Sequence, residues 1–190
     1  MWKQFRVAML LLFWMSLLTG VAYPLLTCAV AEAFFAEKAH GSLVRRDGRI
    51  VGSRLIGRWY EEGRYFWPRP SATGPGPYNG ASSSGSNLGP LHADLAKGRA
   101  ARQAALWEVD KGNRRAAPAD LLTASGSGLD PHISPAAAAY QAERVAKARG
   151  LRGEQVEALI AAATEGRQFG ILGEARVNVL ELNLSLDDLQ

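Results

Sequence analysis

Thiol and imidazole are scarce in this sequence. Its 190 residues contain one cysteine, Cys28, and three histidines, His40, His92 and His132, which lie far apart. A lone cysteine excludes an intrachain disulfide and a cysteine-based zinc or iron–sulfur site, and the histidines lack any short metal-ligand spacing. Charge of one sign is also lacking. The 22 Lys+Arg against 18 Asp+Glu leave a net +4, and Lys3 and Arg6 alone account for half of it. A pI near 9.5 therefore does not reflect the dense basic face of a nucleic-acid-binding domain, and no nucleic-acid partner is expected. Nucleotide-loop chemistry is missing too. Gly80 and Gly85 have the outer spacing of a phosphate loop, but Ser86-Asn87 stands where Lys-Ser/Thr is required. Ser125-Gly126-Ser127-Gly128 is not a nucleophile elbow. Asp130 and His132 beside those serines would crowd a whole triad into one turn, whereas triads draw their members from separate elements. Turn and helix-cap chemistry explains them better, and the expected set of catalytic and metal-ligating residues is empty.

Uncharged length is what the sequence has instead. From Val7 through Ala31 no residue is charged, and 20 of these 25 positions are hydrophobic. A helix rising about 1.5 Å per residue crosses a hydrocarbon core of roughly 30 Å over that length. A cleaved signal peptide would share Lys3, Arg6 and the small residues Ala29-Val30-Ala31, but its apolar core is usually only about 7–15 residues. A lipoprotein reading would use Leu25-Leu26-Thr27-Cys28, where Thr fits poorly before an acylated cysteine. The retained anchor is the favoured reading. It divides the chain into a cytoplasmic N-terminus at 1–6, a transmembrane helix at 7–31 and an extracytoplasmic domain at 32–190. Lys3 and Arg6 before the span, against Glu32, Glu37 and Lys38 after it, orient it by the positive-inside rule. Pro24 is expected to kink the span, and Gly20, Tyr23 and Pro24 are candidates for packing against partner helices within the membrane.

The remainder reads as α+β, with short strands and about three helices. Asp47-Gly48 between Leu43-Val44 and Ile50-Val51 signals a hairpin. Residues 65–70, Tyr-Phe-Trp-Pro-Arg-Pro, set three aromatics beside two prolines in extended backbone suited to packing or to anchoring an interface. Residues 70–90 carry the Gly, Pro and Ser of a linker, yet Tyr78-Asn79 and Ser86-Asn87 place larger hydrogen-bonding groups there, as an ordered loop would. Helices are expected at 91–108, with Leu91, Leu95 and Leu106 on the apolar side, at 134–150 with a Ser134-Pro135 start, and at 153–165. Val177 to Leu184 reads as a strand whose alternation changes phase between Val179 and Leu180. The stretch Asp120–Pro135 combines a short strand, small residues and an imidazole beside a carboxylate. It reads as a tight connector or as a docking surface.

At these residues the sequence resembles the C subunit of the Kdp potassium-transporting P-type ATPase. The resemblance rests on Thr19-Gly20 with Tyr23-Pro24, Gly52-Ser-Arg-Leu-Ile-Gly57, Tyr65-Phe66 with Arg69-Pro-Ser-Ala72, Tyr78-Asn79 and Gly85-Ser-Asn-Leu88. It continues through Leu122-Thr-Ala-Ser-Gly-Ser-Gly-Leu-Asp130, Arg144-Val-Ala-Lys-Ala-Arg149 and Val177-Asn-Val179 with Leu182-Asn183. Trp59-Tyr60 and Ser84 depart from the family pattern. The resemblance implies a non-catalytic, single-pass subunit in the bacterial inner membrane. Its partners would be a potassium-translocating subunit, an ATP-hydrolysing P-type subunit and a small accessory subunit. It implies a role in stabilising the pump and, as a catalytic chaperone, in raising the ATP affinity of the hydrolysing subunit. No cofactor would be firmly bound, and ATP would be engaged only through the complex. Direct nucleotide binding, or an anchored envelope hydrolase, are the alternatives. Candidate partner-docking residues are Arg69, Ser71, Tyr78, Asn79, Ser86, Asn87, Ser125, Ser127, Asp130 and His132.

Overall fold

The computed structural model describes residues 1–189, which fall into two compact units, one ending at Leu43 and one beginning at Val44. The first is a helical rod. Trp2–Leu17 (α1) runs through a π-helical turn at Leu18–Ala22 into Tyr23–Ala39 (α2). The whole Trp2–Ala39 run is long and apolar enough to cross a membrane. Pro24 does not break it. A proline in a helix lacks the N–H that would bond four residues back, and its ring crowds that carbonyl. The widened π turn directly before Pro24 takes up this mismatch, and the rod continues. Thr19 and Thr27 donate their hydroxyls to the carbonyls of Met15 and Tyr23, so neither exposes an unpaired polar group. Helical geometry is interrupted only near the far end of α2, at Phe35.

The expected hairpin follows, Leu43–Arg46 (β1) and Arg49–Ser53 (β2), and from Val44 onward it belongs to the second unit. Asp47 and Gly48 both take positive φ, of 50° and 76°, as a two-residue type I′ turn requires. Residues 54–92 then run without regular structure to Ala93–Val109 (α3) and a single turn at Ala119–Leu122 (α4). Leu91, expected on the apolar side of that helix, precedes it and is fully exposed, and Leu106 is the buried residue of α3. Asp120 lies in α4, so within Asp120–Pro135 the strand is confined to His132–Ile133 (β3). The Asp120 carboxylate accepts the Ser134 N–H at 2.7 Å and fixes the start of the next helix.

That helix, Pro135–Arg149 (α5), is built as its sequence dictates. Ser134 Oγ accepts the Ala137 N–H at 3.0 Å, Pro135 fills the first turn, and Gly150 ends it in the left-handed region. Gly153–Ala163 (α6) buries Val156 and Ile160 one turn apart, with Leu159 and Ala163 packed beside them. Thr164–Glu165 (β4) and Arg176–Asn178 (β5) follow, and β5 lies between β3 and β4 in an antiparallel sheet, with Val177 opposite both Ile133 and Thr164.

The expected strand at 177–184 is corrected here. Only its first two residues are strand, and Val179–Asp187 (α7) is a helix. Asn178 Oδ1 accepts the N–H groups of Leu180 and Glu181, a strong N-cap, and Val179, Leu182, Asn183 and Leu186 follow at helical spacing on the buried face. The change of phase at Val179–Leu180 is thus the junction of strand and helix rather than a bulge. The core gathers α5, α6, α7 and β5 around Phe66, Leu121, Val145, Val156 and Val177, all fully buried. Each such side chain contributes about 1.5–3 kcal/mol of transfer free energy.

Candidate docking surface

Two unlike devices shape the face that carries the candidate residues. The first holds the aromatic strip. Phe66 and Trp67 belong to no sheet, yet their main-chain groups are buried and must be paired. Asn183 of α7 serves Phe66, with Oδ1 accepting its N–H at 2.8 Å and Nδ2 donating to its carbonyl at 3.0 Å. Gln141 of α5 serves Trp67 in the same way, at 2.8 and 3.1 Å. Two primary amides thereby replace a neighbouring strand. Arginines complete the frame. Arg144 donates to the carbonyls of Gly63 and Tyr65 and to Gln141, while Arg149 donates to the Arg64 carbonyl and to Asp187 at 2.7 Å. Burial pulls the Arg144 guanidinium down to about 10, which leaves it charged at neutral pH. Arg102 sits over the rings of both Trp59 and Trp67, at 5.1 and 4.7 Å, and donates to the carbonyl of Pro68 at 3.0 Å.

The second device is a double loop in which residues 69–85 lie against residues 124–130. Ser71 Oγ donates to the Gly128 carbonyl at 2.7 Å and accepts the Tyr78 N–H at 3.0 Å. Thr73 Oγ1 donates to the Gly76 carbonyl and accepts the Asn79 N–H, while Asn79 Nδ2 returns a bond to Gly74. Ser84 N–H reaches the Ser127 carbonyl at 2.9 Å and ties the two loops together. Ser125 and Ser127 spend their Oγ lone pairs locally, accepting the N–H groups of Gly128 and Leu129. Two glycines are demanded by this crossing. A Cβ on Gly128, whose φ is +69°, would lie 2.6 Å from the Ser84 carbonyl oxygen, and one on Gly57 would lie 2.3 Å from the Tyr78 ring.

At one end of the double loop Arg69, Asp130 and His132 converge. Arg69 Nη1 donates to Asp130 Oδ2 at 3.0 Å, and Asp130 Oδ1 faces both the His132 main-chain N–H at 3.0 Å and its Nδ1 at 3.1 Å. Burial on its own would raise the Asp130 carboxyl, but the His132 hydrogen bonds and the Arg69 charge outweigh it and hold the carboxyl below its ordinary value. Tyr78, in left-handed backbone, donates its hydroxyl to the Arg69 carbonyl at 2.7 Å. Its phenol is pushed up chiefly by burial, so it stays a donor. A shallow cleft of about 340 Å³ opens beside this cluster, lined also by Asp120, Glu174 and Arg176.

The candidate residues thus separate into two groups. Arg69, Ser71, Tyr78, Asn79, Ser125, Ser127, Asp130 and His132 come together as the internal bracing of one surface, whereas Ser86 and Asn87 lie exposed on its outer run. In the span, Tyr23 is exposed and no other part of the chain comes within 4 Å of a Cβ built on Gly20. Among the described residues, no three His, Cys, Asp or Glu side chains converge on a common point. Gln141 and Arg102 have no place in the sequence reading and Asn183 enters it only through the family resemblance, although Asn and Gln among the apolar residues of a helix are a signal that main chain nearby needs partners.

A family profile described as "K+-transporting ATPase, c chain" matches residues 5–188. A protein of Sorangium cellulosum named "Potassium-transporting ATPase KdpC subunit" is 56% identical over 187 residues, covering 98% of each chain. Proteins of the same name from Methylococcus capsulatus and Burkholderia vietnamiensis are 54% identical over 188 residues and 57% identical over 176. They cover 99% of each chain in the first case, and 93% of this chain and 91% of the relative in the second. Collinear similarity of that depth, extending through the apolar helix, the braced double loop and the clamped aromatic strip, shows that this chain belongs to the KdpC family, the accessory c chains of potassium-transporting ATPases.

Proposed function

We propose that the chain is a non-catalytic docking subunit, held by its apolar helix in the bacterial inner membrane with its N-terminus in the cytoplasm and its folded domain outside. The observation that carries this reading is the family match over residues 5–188, which includes the helix as well as the domain. The partners are a potassium-translocating subunit, an ATP-hydrolysing P-type subunit and a small accessory subunit. Gly20, Tyr23 and Pro24 offer a narrow face for helix packing in lipid, where small residues let backbones approach closely. Outside, the face braced by Arg69, Ser71, Tyr78, Asp130 and His132 presents Ser86 and Asn87 over the potassium-entry side. A domain on that side has no direct access to cytoplasmic ATP, so its chaperone effect on ATP affinity is a coupling between distant sites through the assembly.

The test compares the purified pump with and without this chain, in ATP hydrolysis and in potassium uptake. The apparent KM for ATP is expected to rise severalfold without the chain, while the purified full-length chain shows no saturable ATP binding. Micromolar ATP binding by the chain alone would replace the indirect reading with a direct one. An unchanged KM would remove the chaperone role.

A further inference from the structure

The turn between β4 and β5 breaks the usual segregation of apolar side chains. Phe169, Ile171 and Leu172 stand at its tip with exposures of 90%, 75% and 54%. One large aromatic ring carries about 150–250 Å², so the three together present on the order of 400 Å² of apolar surface, within the range of a monomer's largest apolar patch, which is often functional. The tip is held in place. Gln168 and Leu172 exchange both main-chain hydrogen bonds at 2.9 Å, and the N–H groups of Gly170 and Ile171 bond back to Arg167 and Gln168. Phe169 adopts φ +54°, a region that bulky residues rarely occupy, and this backbone turns its ring outward.

The base of the turn says what covers it. Arg167 forks onto both oxygens of Glu174 at 2.7 and 2.6 Å, and Arg176 pairs with Glu165 at 2.9 Å, so the apolar tip rises from a charge-compensated collar. An element made to lie on an anionic bilayer carries surplus Lys and Arg on its polar side, and here there is no surplus. A convex apolar tip on a neutral stem is complementary to an uncharged concave site on a protein. We infer that Phe169, Ile171 and Leu172 form a plug that seats in an apolar crevice on the extracytoplasmic face of a membrane-embedded partner subunit. A stable interface buries about 800 Å² per partner, so the plug is the anchor of a wider contact rather than the whole of it. The inference rests on the docking reading proposed above and gives that reading a defined point of attachment.

The test uses the full chain in membranes that also contain the pump's other subunits. A photoreactive benzoylphenylalanine replaces Phe169 in one sample and the exposed Glu154 of α6 in another. Crosslinking to a transport subunit is expected from position 169 and not from 154. Crosslinks only to lipid, only to a second copy of the chain, or to nothing would overturn the plug. In parallel, the double variant Phe169→Ser/Ile171→Ser is expected to lower recovery with the transport subunits at least tenfold while the thermal midpoint of the purified chain stays within about 2 °C of the parent. If the variant is recovered like the parent, the plug alone falls and the docking reading stands. If the parent itself is not recovered with those subunits, both fall. Should the variant lose thermal stability, the crosslinking result at 169 decides.

Discussion

At the scale of single residues, side-chain amides do the work usually done by a strand. Asn183 and Gln141 each close a two-bond ring on a buried main-chain residue, so their removal orphans a donor and an acceptor together. Each buried group left unpaired costs about 1–3 kcal/mol. Asn183→Ala is therefore expected to lower unfolding free energy by about 3 kcal/mol, measured by urea titration of tryptophan fluorescence. Asn183→Asp, which keeps an acceptor for the Phe66 N–H but buries a carboxylate oxygen against the Phe66 carbonyl, should cost at least as much at neutral pH. Asp130 carries a pH signature. Its carboxyl lies below the ordinary value of about 3.9 when folded, because the His132 hydrogen bonds and the Arg69 charge outweigh its burial. It contributes stability above the unfolded value and loses that contribution as pH falls through the folded one. Asp130→Asn should thus be the less stable form above about pH 5, and the two midpoints should draw together below about pH 3 in thermal melts taken across that range.

At the scale of elements, the sequence was informative wherever a local rule was left undisturbed. The Asp47-Gly48 hairpin, the Ser134-Pro135 start of α5 and the i, i+3, i+4, i+7 face of α6 all formed as their residues require. The 70–90 stretch, rich in linker residues, is ordered because Ser71, Thr73 and Asn79 satisfy its main chain from within. The error at 177–184 came from giving β-branched and leucine residues more weight than Asn178, whose cap and following helical period decide the structure. At Pro24 the expected disturbance of the helix takes the form of a π turn at Leu18–Ala22, directly before the proline, and composition gives no sign of that form. Of the candidate surface, the participating residues were legible and their roles were not, since a hydroxyl that braces a loop and one that faces a partner look alike in sequence. The crossing of the two loops also yields a test. Gly128→Ala places a Cβ 2.6 Å from the Ser84 carbonyl and 2.7 Å from Thr73 Cγ2, in backbone that disfavours any side chain. It should separate the loops and speed proteolytic cleavage within 79–90 severalfold, with helix content by circular dichroism unchanged.

At the scale of the molecule, a helix long and apolar enough to cross a membrane stands beside a folded unit of short strands and helices. The docking role proposed for the chain asks of these two parts attachment and shape. The orientation of the helix is open to a direct measurement. A reporter enzyme active only outside the cytoplasm, fused to the C-terminus, is expected to be active, and inactivity would place the domain on the cytoplasmic side. The amide clamp also imposes a timetable on biogenesis. Phe66 waits for Asn183, 117 residues downstream. At synthesis rates of roughly 5–20 residues per second, the Tyr-Phe-Trp strip spends on the order of 10 s with its aromatic side chains and main chain unsealed. Only when α7 arrives can Asn183 close on the Phe66 main chain, so a subunit truncated before α7 is left with that buried donor and acceptor unpaired.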